Sequence, residues 1–524
     1  MRAQRGPLKG LNVPLTAAAV IVVLGFLTFG AWDPAYAEGV FQAASTWVIG
    51  TFKWYYIGVV AFFLAFALFL MFSRFGDLRL GDDDRPPEFS YFAWFSMLFG
   101  AGMGIGLLFW SIAEPIWHFQ GNPFVEEGET KAAAETAMRL TYFHWGLHPW
   151  AIYAIVALSL AFFSYRMKLP LAIRSALYPL IGKRIYGPIG HAADLLAVFG
   201  TIFGVATSLG LGAIQINTGL NELVGVGLST LNQLLIVAVV TTVAVGSVVS
   251  GVGRGVKILS QLNLILSVVM LAFFLVFGPT LYLLASLVQG LGDYLQNIIY
   301  LSFWTDASGA RDAEQWQMDW TAFYWGWWIA WSPFVGMFIA RISRGRTIRE
   351  FISGVLLVPT LLALAWLTVF GGTGLYQELF GAGGLLDAVS EDETIALYYT
   401  IEAVAPGLIA TLFAAIATLL IGTYFVTSSD SATLVVTMLL SVGNTEPPTY
   451  QRVLWGLAEG GVAAVLLVAG GLTALQAASI VSALPFSLLM LLMCYALIRG
   501  LQAEKQRMQL SWQPGQGPPA APHL

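Results

Sequence analysis

Residues 320–350 read WTAFYWGWWIAWSPFVGMFIARISRGRTIRE. The segment is apolar and long enough to cross a bilayer, yet it holds Trp320, Trp325, Trp327, Trp328 and Trp331, with Pro333 inside it and its arginines only after it ends. Tryptophans in membrane helices usually form a belt at the interface, and that reading suits Trp320. It does not suit Trp331, which helix rise places about 16 Å beyond Trp320, near the middle of a hydrocarbon core ~30 Å thick. Trp327 and Trp331, four apart, share one helix face. Two readings stand: tight helix packing, or an aromatic cage for a quaternary ammonium group, whose diffuse charge is attracted to indole faces.

Composition sets the class. The chain of 524 residues is 57% hydrophobic and 10% charged, with a mean hydropathy of +0.74, which excludes a soluble globular protein and requires a polytopic membrane protein. The net charge of -5 says little about partners, because the sign of charge matters loop by loop. The one cysteine, Cys494, lies in an apolar run, so neither an intrachain disulfide nor a cysteine metal site is expected. No long basic tract with interleaved aromatics supports nucleic-acid binding.

Apolar runs of about 18 residues or more predict transmembrane helices centred near residues 21, 61, 104, 152, 206, 241, 270, 329, 364, 418, 463 and 485. With the N-terminus inside, only Lys53, Lys131, Arg139 and Arg311 of the 25 basic residues fall outside, so both termini are assigned to the cytoplasm. The start of the chain also resembles a signal peptide ending at Ala35-Tyr36-Ala37, but its apolar run is long for one, and a retained first helix is preferred. The third span then enters from the cytoplasm and the eighth from outside. Spans three to seven and eight to twelve therefore read as two five-helix repeats of opposite orientation, with the substrate site between their interrupted first helices. The expected division is a cytoplasmic segment (1–11), two additional helices (12–90), the first repeat (91–300), the second (301–498) and a short cytoplasmic tail (499–524).

Other motifs cluster in this scheme. The third span reads FGAGMGIGLLFW, with Gly100, Gly102, Gly104 and Gly106 alternating. Close helix packing through Gly102 and Gly106 is one reading. An unwound stretch lining a wet cavity, its N–H groups free for a carboxylate and its carbonyls for a cation, is the other. The fourth span, HWGLHPWAIY, sets Trp145, Trp150 and Tyr153 around Pro149, while His144 and His148 offer two metal ligands without an evident third. The tenth, YFVTSSDSAT, brings Thr427, Ser428 and Asp430 into an apolar helix, where hydroxyls bond back to their own carbonyls or supply neutral oxygens to a sodium ion. Thr207 and Ser208 form a second polar patch on the fifth. Of the intramembrane acids, Glu114 reads as near the outer face, Asp430 near the inner, and Glu459 two turns into span eleven. None reads as lying at the glycine or tryptophan segments, which favours a substrate of zero net charge, or one whose cation meets only aromatic faces, and sodium over protons. The arginines from Arg341 to Arg349 read as a positive-inside anchor, with an inner gate or lipid contact as the alternative.

The segments GAGMGIGLLFWSIAEP, HWGLHPWAIY, ATSLGLGAIQ, the tryptophan-rich stretch and FVTSSDSAT together resemble the betaine/choline/carnitine transporters (BCCT) from about residue 95 to 435. That resemblance implies an all-α protein of twelve transmembrane helices with a LeuT-like 5+5 inverted repeat and two additional N-terminal helices, usually a homotrimer. No nucleophile, base and oxyanion donors converge in the pattern, so no enzyme activity and no cofactor are expected, and Na+ is the expected coupling ion. The implied substrate site is Trp327, Trp328, Trp331, Trp145, Trp150 and Tyr153 with Gly102, Met103, Gly104 and Gly106. The implied sodium positions are Gly100, Met103, Thr427 and Ser428, and a second region at Phe334, Thr207 and Ser208. Position 106 is Gly, as in betaine-type sodium symporters, where proton-coupled choline-type members resemble this pattern with an acid. The short, weakly basic tail departs from osmotically regulated members. The expectation is sodium-driven import of glycine betaine across the plasma membrane, or the inner membrane of a Gram-negative cell. The alternatives are a proton-coupled choline symporter, a carnitine/betaine exchanger, or a membrane ligand sensor.

Overall fold

The computed structural model describes residues 3, 9–102, 104–250, 255–307 and 311–511. Among these, every regular element is helical. Helix α1 (Val13–Trp32) starts at Asn12, whose side chain accepts from the Leu15 N–H, and α2 (Pro34–Phe72) starts at Asp33 in the same way. Proline in the first turn of both is free of penalty, because no intrahelical acceptor exists there for an N–H. Ala35-Tyr36-Ala37 lies in the first turn of α2.

The glycine segment is split into α3 (Tyr91–Gly102) and α4 (Ile105–Gln120). Gly104, at φ -164° and ψ -176°, is fully extended, so the helix stops and restarts there. A second interruption, at Gly146, parts α5 (Lys131–Trp145) from α6 (Leu147–Ala161). The long helices α7 (Pro188–Val224), α8 (Thr230–Ser250), α9 (Gly255–Phe277) and α10 (Thr280–Phe303) follow. The tryptophan segment forms α11 (Phe323–Ile342), and the chain closes with α12 (Ile348–Phe380), α13 (Leu408–Leu440), α14 (Thr449–Val468) and α15 (Gly471–Ser511).

Among the described residues, 10 helical segments are long and apolar enough to cross a membrane. The glycine and tryptophan segments are not in that set. The first is cut into pieces of 12 and 16 residues; the second is lowered in hydropathy by its indoles, Pro333 and Arg341. Each expected span centre nevertheless falls on a helix or, at 104, on the break. Helix α15 continues to Ser511, into the segment read as the tail, and residues 512–524 lie outside the described residues, as do Arg2, Arg5 and Arg254.

Helix α11 occupies the centre, packed against α6, α7 and α15. Small residues allow the approach: a Cβ at Gly336 would meet Val156 at 2.7 Å, and one at Gly204 would meet Trp331 at 2.7 Å. At one end of the bundle the segment after α11 is stitched to the loop after α2, with Leu80 N–H donating to Arg346 O and Gly345 N–H to Leu80 O, both at 2.8 Å. Thr347 and Glu350 then start α12 with a reciprocal capping box. Nearby, Arg166 pairs with Asp83 at 2.5 Å and with Glu504 of α15 at 2.7 Å. The Arg166 hydrogen bond holds the Asp83 carboxyl below its usual range. Glu504 is 3% exposed and its other partner, Arg507, is 57% exposed. Removing Arg166 therefore leaves a buried carboxylate with only a largely exposed partner. Arg166→Met is expected to destabilise the bundle by up to about 3 kcal/mol, seen as a lower thermal unfolding midpoint in detergent; an unchanged midpoint would count against the tie.

Candidate functional site

The six aromatic residues singled out in the sequence line one small cavity, about 40 Å³ in volume: Trp145, Trp150 and Tyr153 from α5 and α6, and Trp327, Trp328 and Trp331 from α11. Gly104, Gly106 and Leu107 at the start of α4, with Pro149, Ser208 and Ala363, complete the wall. The rings form two sets. Trp327 and Trp328 lie nearly parallel, 13° apart with centroids at 4.7 Å. Against them stand Trp145, at 69° and 4.8 Å from Trp328, Tyr153, at 78° and 6.5 Å from Trp328, and Trp331, at 79° and 6.5 Å from Trp327.

Hydrogen bonds fix these orientations. Trp328 Nε1 donates to His144 O at 3.0 Å, Trp331 Nε1 to Gly204 O at 2.6 Å, and Trp145 Nε1 to a Glu114 carboxylate oxygen at 2.7 Å. An indole tied at its N–H cannot rotate to fill the space beside it, so the faces stay available to a ligand. Trp327 Nε1 is buried and has no partner among the described residues. The site thus offers flat π faces for a soft cation and one indole donor for an acceptor group.

The glycines divide in role. Gly104 makes the break and lines the cavity. Gly106, expected within the unwound stretch, is instead helical, and a Cβ there would meet Trp327 Cη2 at 2.3 Å, so glycine is what lets that ring seat. Gly100 and Gly102 close α3, and Met103 lies outside the described residues. Thr427 donates to its own helix, at Thr423 O and Tyr424 O, and accepts from Asn263 Nδ2 of α9 at 3.0 Å. Ser428 is half-buried beside it. The second polar patch separates. Thr207 is bound to Leu475 O and Ser479 of α15, both at 2.8 Å, whereas Ser208 faces the aromatic cavity. Phe334 packs edge-on to Trp331 at 5.5 Å.

Sequence reasoning missed the layer behind the cage. It placed no acid at the tryptophan segments, but α4 carries Glu114 alongside α5 and α11, where its carboxylate accepts from Trp145 and, at 2.5 Å, from the Tyr324 hydroxyl. The signal for Tyr324 was present: it lies three and four residues before Trp327 and Trp328, on their face. His144 and His148 do not converge. His148 bonds Ser302 at 2.8 Å and stacks on Trp325 at 5.3 Å, while His144 joins Glu114 and His118 in a buried group whose potential metal-ligand atoms lie within 4.8 Å of one another.

A bundle of membrane-length helices around an aromatic cavity, with a helix broken at its edge, has the architecture of a membrane transporter. The BCCT profile, described as betaine/carnitine/choline family transporter, matches residues 14–506, and the chain belongs to that family. It is similar to the glycine betaine transporter of Acinetobacter baylyi, with 46% identity over 500 residues, 95% of this chain and 74% of that protein. It is likewise 44% identical over 497 residues to the Bacillus subtilis glycine betaine transporter OpuD, covering 95% of this chain and 94% of the relative. A probable glycine betaine transporter of Desulfitobacterium hafniense is 44% identical over 499 residues, covering 95% and 98% of the two chains. Its work is accordingly transport, not catalysis.

Seating of Trp327 against Gly106 is testable with tetramethylammonium as a probe of the cage. Gly106→Ala is expected to weaken its binding roughly tenfold, about 1.4 kcal/mol, as read by quenching of tryptophan fluorescence. An unaltered binding curve would show that Trp327 does not shape the site.

Proposed function

We propose that this transporter imports a quaternary-ammonium compatible solute, glycine betaine first, by sodium symport and alternating access. The observation that carries the reading is the convergence of six aromatic side chains, in two near-perpendicular sets, on one small cavity beside the helix break. The trimethylammonium group sits among Trp327, Trp328 and Trp331, with Trp145, Trp150 and Tyr153 on the opposite side. Cation–π attraction there is about 2 kcal/mol when desolvated. Its carboxylate turns to the broken glycine segment, where α4 starts after Gly104 and its first N–H groups have no intrahelical acceptor, and to the unpartnered Trp327 N–H. The names of the relatives support the substrate class.

In this reading the interrupted glycine segment and α11 complete twelve spans of the LeuT-like inverted repeat, both termini are cytoplasmic, the protein works in the plasma membrane, and it assembles as a homotrimer. Sodium is co-transported, with backbone oxygens of Gly100 and Met103 and the hydroxyls of Thr427 and Ser428 as its proposed ligands. A proton-coupled reading has one observation in its favour. Glu459 is fully buried in α14, with Thr433 at 3.1 Å on one oxygen and no partner among the described residues on the other.

Radiolabelled betaine, choline and carnitine uptake into proteoliposomes separates these readings. An imposed inward sodium gradient is expected to drive betaine accumulation; uptake without sodium that follows a pH gradient would select proton coupling, and binding without flux would select a sensor. Trp328→Leu is expected to raise the half-saturation concentration at least about tenfold, since it removes both a face of the cage and the tie to His144. Unchanged uptake would refute the cage.

A further inference from the structure

Resting on the reading of the cavity as a quaternary-ammonium site, we propose that Glu114 is the fixed counter-charge of the cage. It positions Trp145 and Tyr324 and makes the site prefer a cationic trimethyl group over a neutral one of the same shape. Glu114 is fully buried. One carboxylate oxygen accepts from Trp145 Nε1 at 2.7 Å and the Tyr324 hydroxyl at 2.5 Å; the other faces His144 Nδ1 at 2.7 Å and His118 Nε2 at 3.4 Å.

The proton positions follow from the neighbours. An indole N–H can only donate, so Trp316 Nε1, 3.2 Å from His118 Nδ1, makes that nitrogen an acceptor and leaves the imidazole proton on Nε2, toward Glu114. The Thr321 hydroxyl has His144 Nε2, at 3.0 Å, as its one partner among the described residues. In this proposal it donates there, and the His144 proton then sits on Nδ1, aimed at Glu114. With these assignments Trp145, Tyr324 and His144 all donate to the carboxylate and His118 stands beside it at 3.4 Å, the arrangement that an ionised Glu114 between two neutral histidines would take. Tyr324, His118 and His144 are the titratable groups that face it, and among the described residues no Lys or Arg pairs with it. The negative charge therefore has no balancing cation in the protein.

Its route to the cavity is short. Trp145 lines the cavity, and Tyr324 lies 24° from the plane of Trp328 at 5.7 Å and 26° from that of Trp327 at 6.3 Å. A carboxylate that accepts a ring's N–H or O–H pushes electron density into that ring. In a low-dielectric interior its charge also reaches across one ring to a bound cation. A neutral tert-butyl head group gains from neither effect.

The test compares glycine betaine with tert-butylacetate, which has the same shape with carbon in place of nitrogen, by tryptophan fluorescence on the purified full-length protein. Glu114→Gln is expected to weaken betaine binding about tenfold while leaving tert-butylacetate unchanged or tighter, whereas Glu114→Asp keeps most of the preference. Equal losses for both ligands, or no loss for either, would overturn the proposal by reducing Glu114 to a structural role. If Glu114→Gln cannot be purified folded, Tyr324→Phe keeps the ring and removes one link. It is then expected to lower the ratio of the two affinities about twofold, and an unchanged ratio overturns the proposal. Failure of the unmodified protein to bind betaine at all would instead refute the transport reading on which this one stands.

Discussion

A ring can receive a cation only on a face that nothing else covers, and indole faces in an apolar interior tend to cover one another. The cavity exists because that tendency is opposed at the ring edges. Trp145, Trp328 and Trp331 are each held by an N–H bond to a different element, α4, α5 and α7. Each bond is worth about 1 kcal/mol net. Together they fix three ring planes, so the stacked pair Trp327–Trp328 faces space where a fourth ring would otherwise close in.

The same constraint explains why the helices beside the cage are interrupted. A continuous helix through residue 104 would present side chains every 1.5 Å along its axis, and the wall of the cavity needs backbone without bulk. Extended Gly104 supplies it, and Gly106 keeps the next turn clear for Trp327. The break at Gly146 works on the opposite wall. It separates Trp145, tied to Glu114 at the end of α5, from Trp150 and Tyr153 on α6, so one short stretch of chain contributes rings from two helix axes.

Hydropathy made the span centres legible, because the bilayer demands about 20 apolar residues whatever they pack against. The six rings that line the cavity were legible for a related reason: an indole at mid-depth is anomalous in any topology. What pattern could not supply was direction around the helix axis between distant segments. Thr207 and Ser208 are adjacent, yet one is committed to α15 and the other faces the cavity. Glu114 looked peripheral because its depth was counted along one helix. The return of α5 beside α4 brings it within hydrogen-bonding distance of Trp145, 31 positions away in sequence. His144 was paired with His148 by spacing, although its real partners come from α4 and the residues before α11.

Two buried acids then divide the chemistry of the bundle. Glu459 has hydroxyl partners on one oxygen, Thr433 and Ser429, and none among the described residues on the other, so its environment offers little to hold a charge in place. Glu114 is surrounded by donors on both oxygens, two of which belong to rings at or directly behind the cavity wall. A buried carboxylate saturated in this way is stabilised where it stands, but its charge still extends beyond its hydrogen bonds. The direction left open to that charge leads through Trp145 and Tyr324 to the aromatic cavity. A cage built only from neutral rings would rely on their quadrupoles alone; the proposed counter-charge would add a fixed anion that costs no reorganisation when a cation enters.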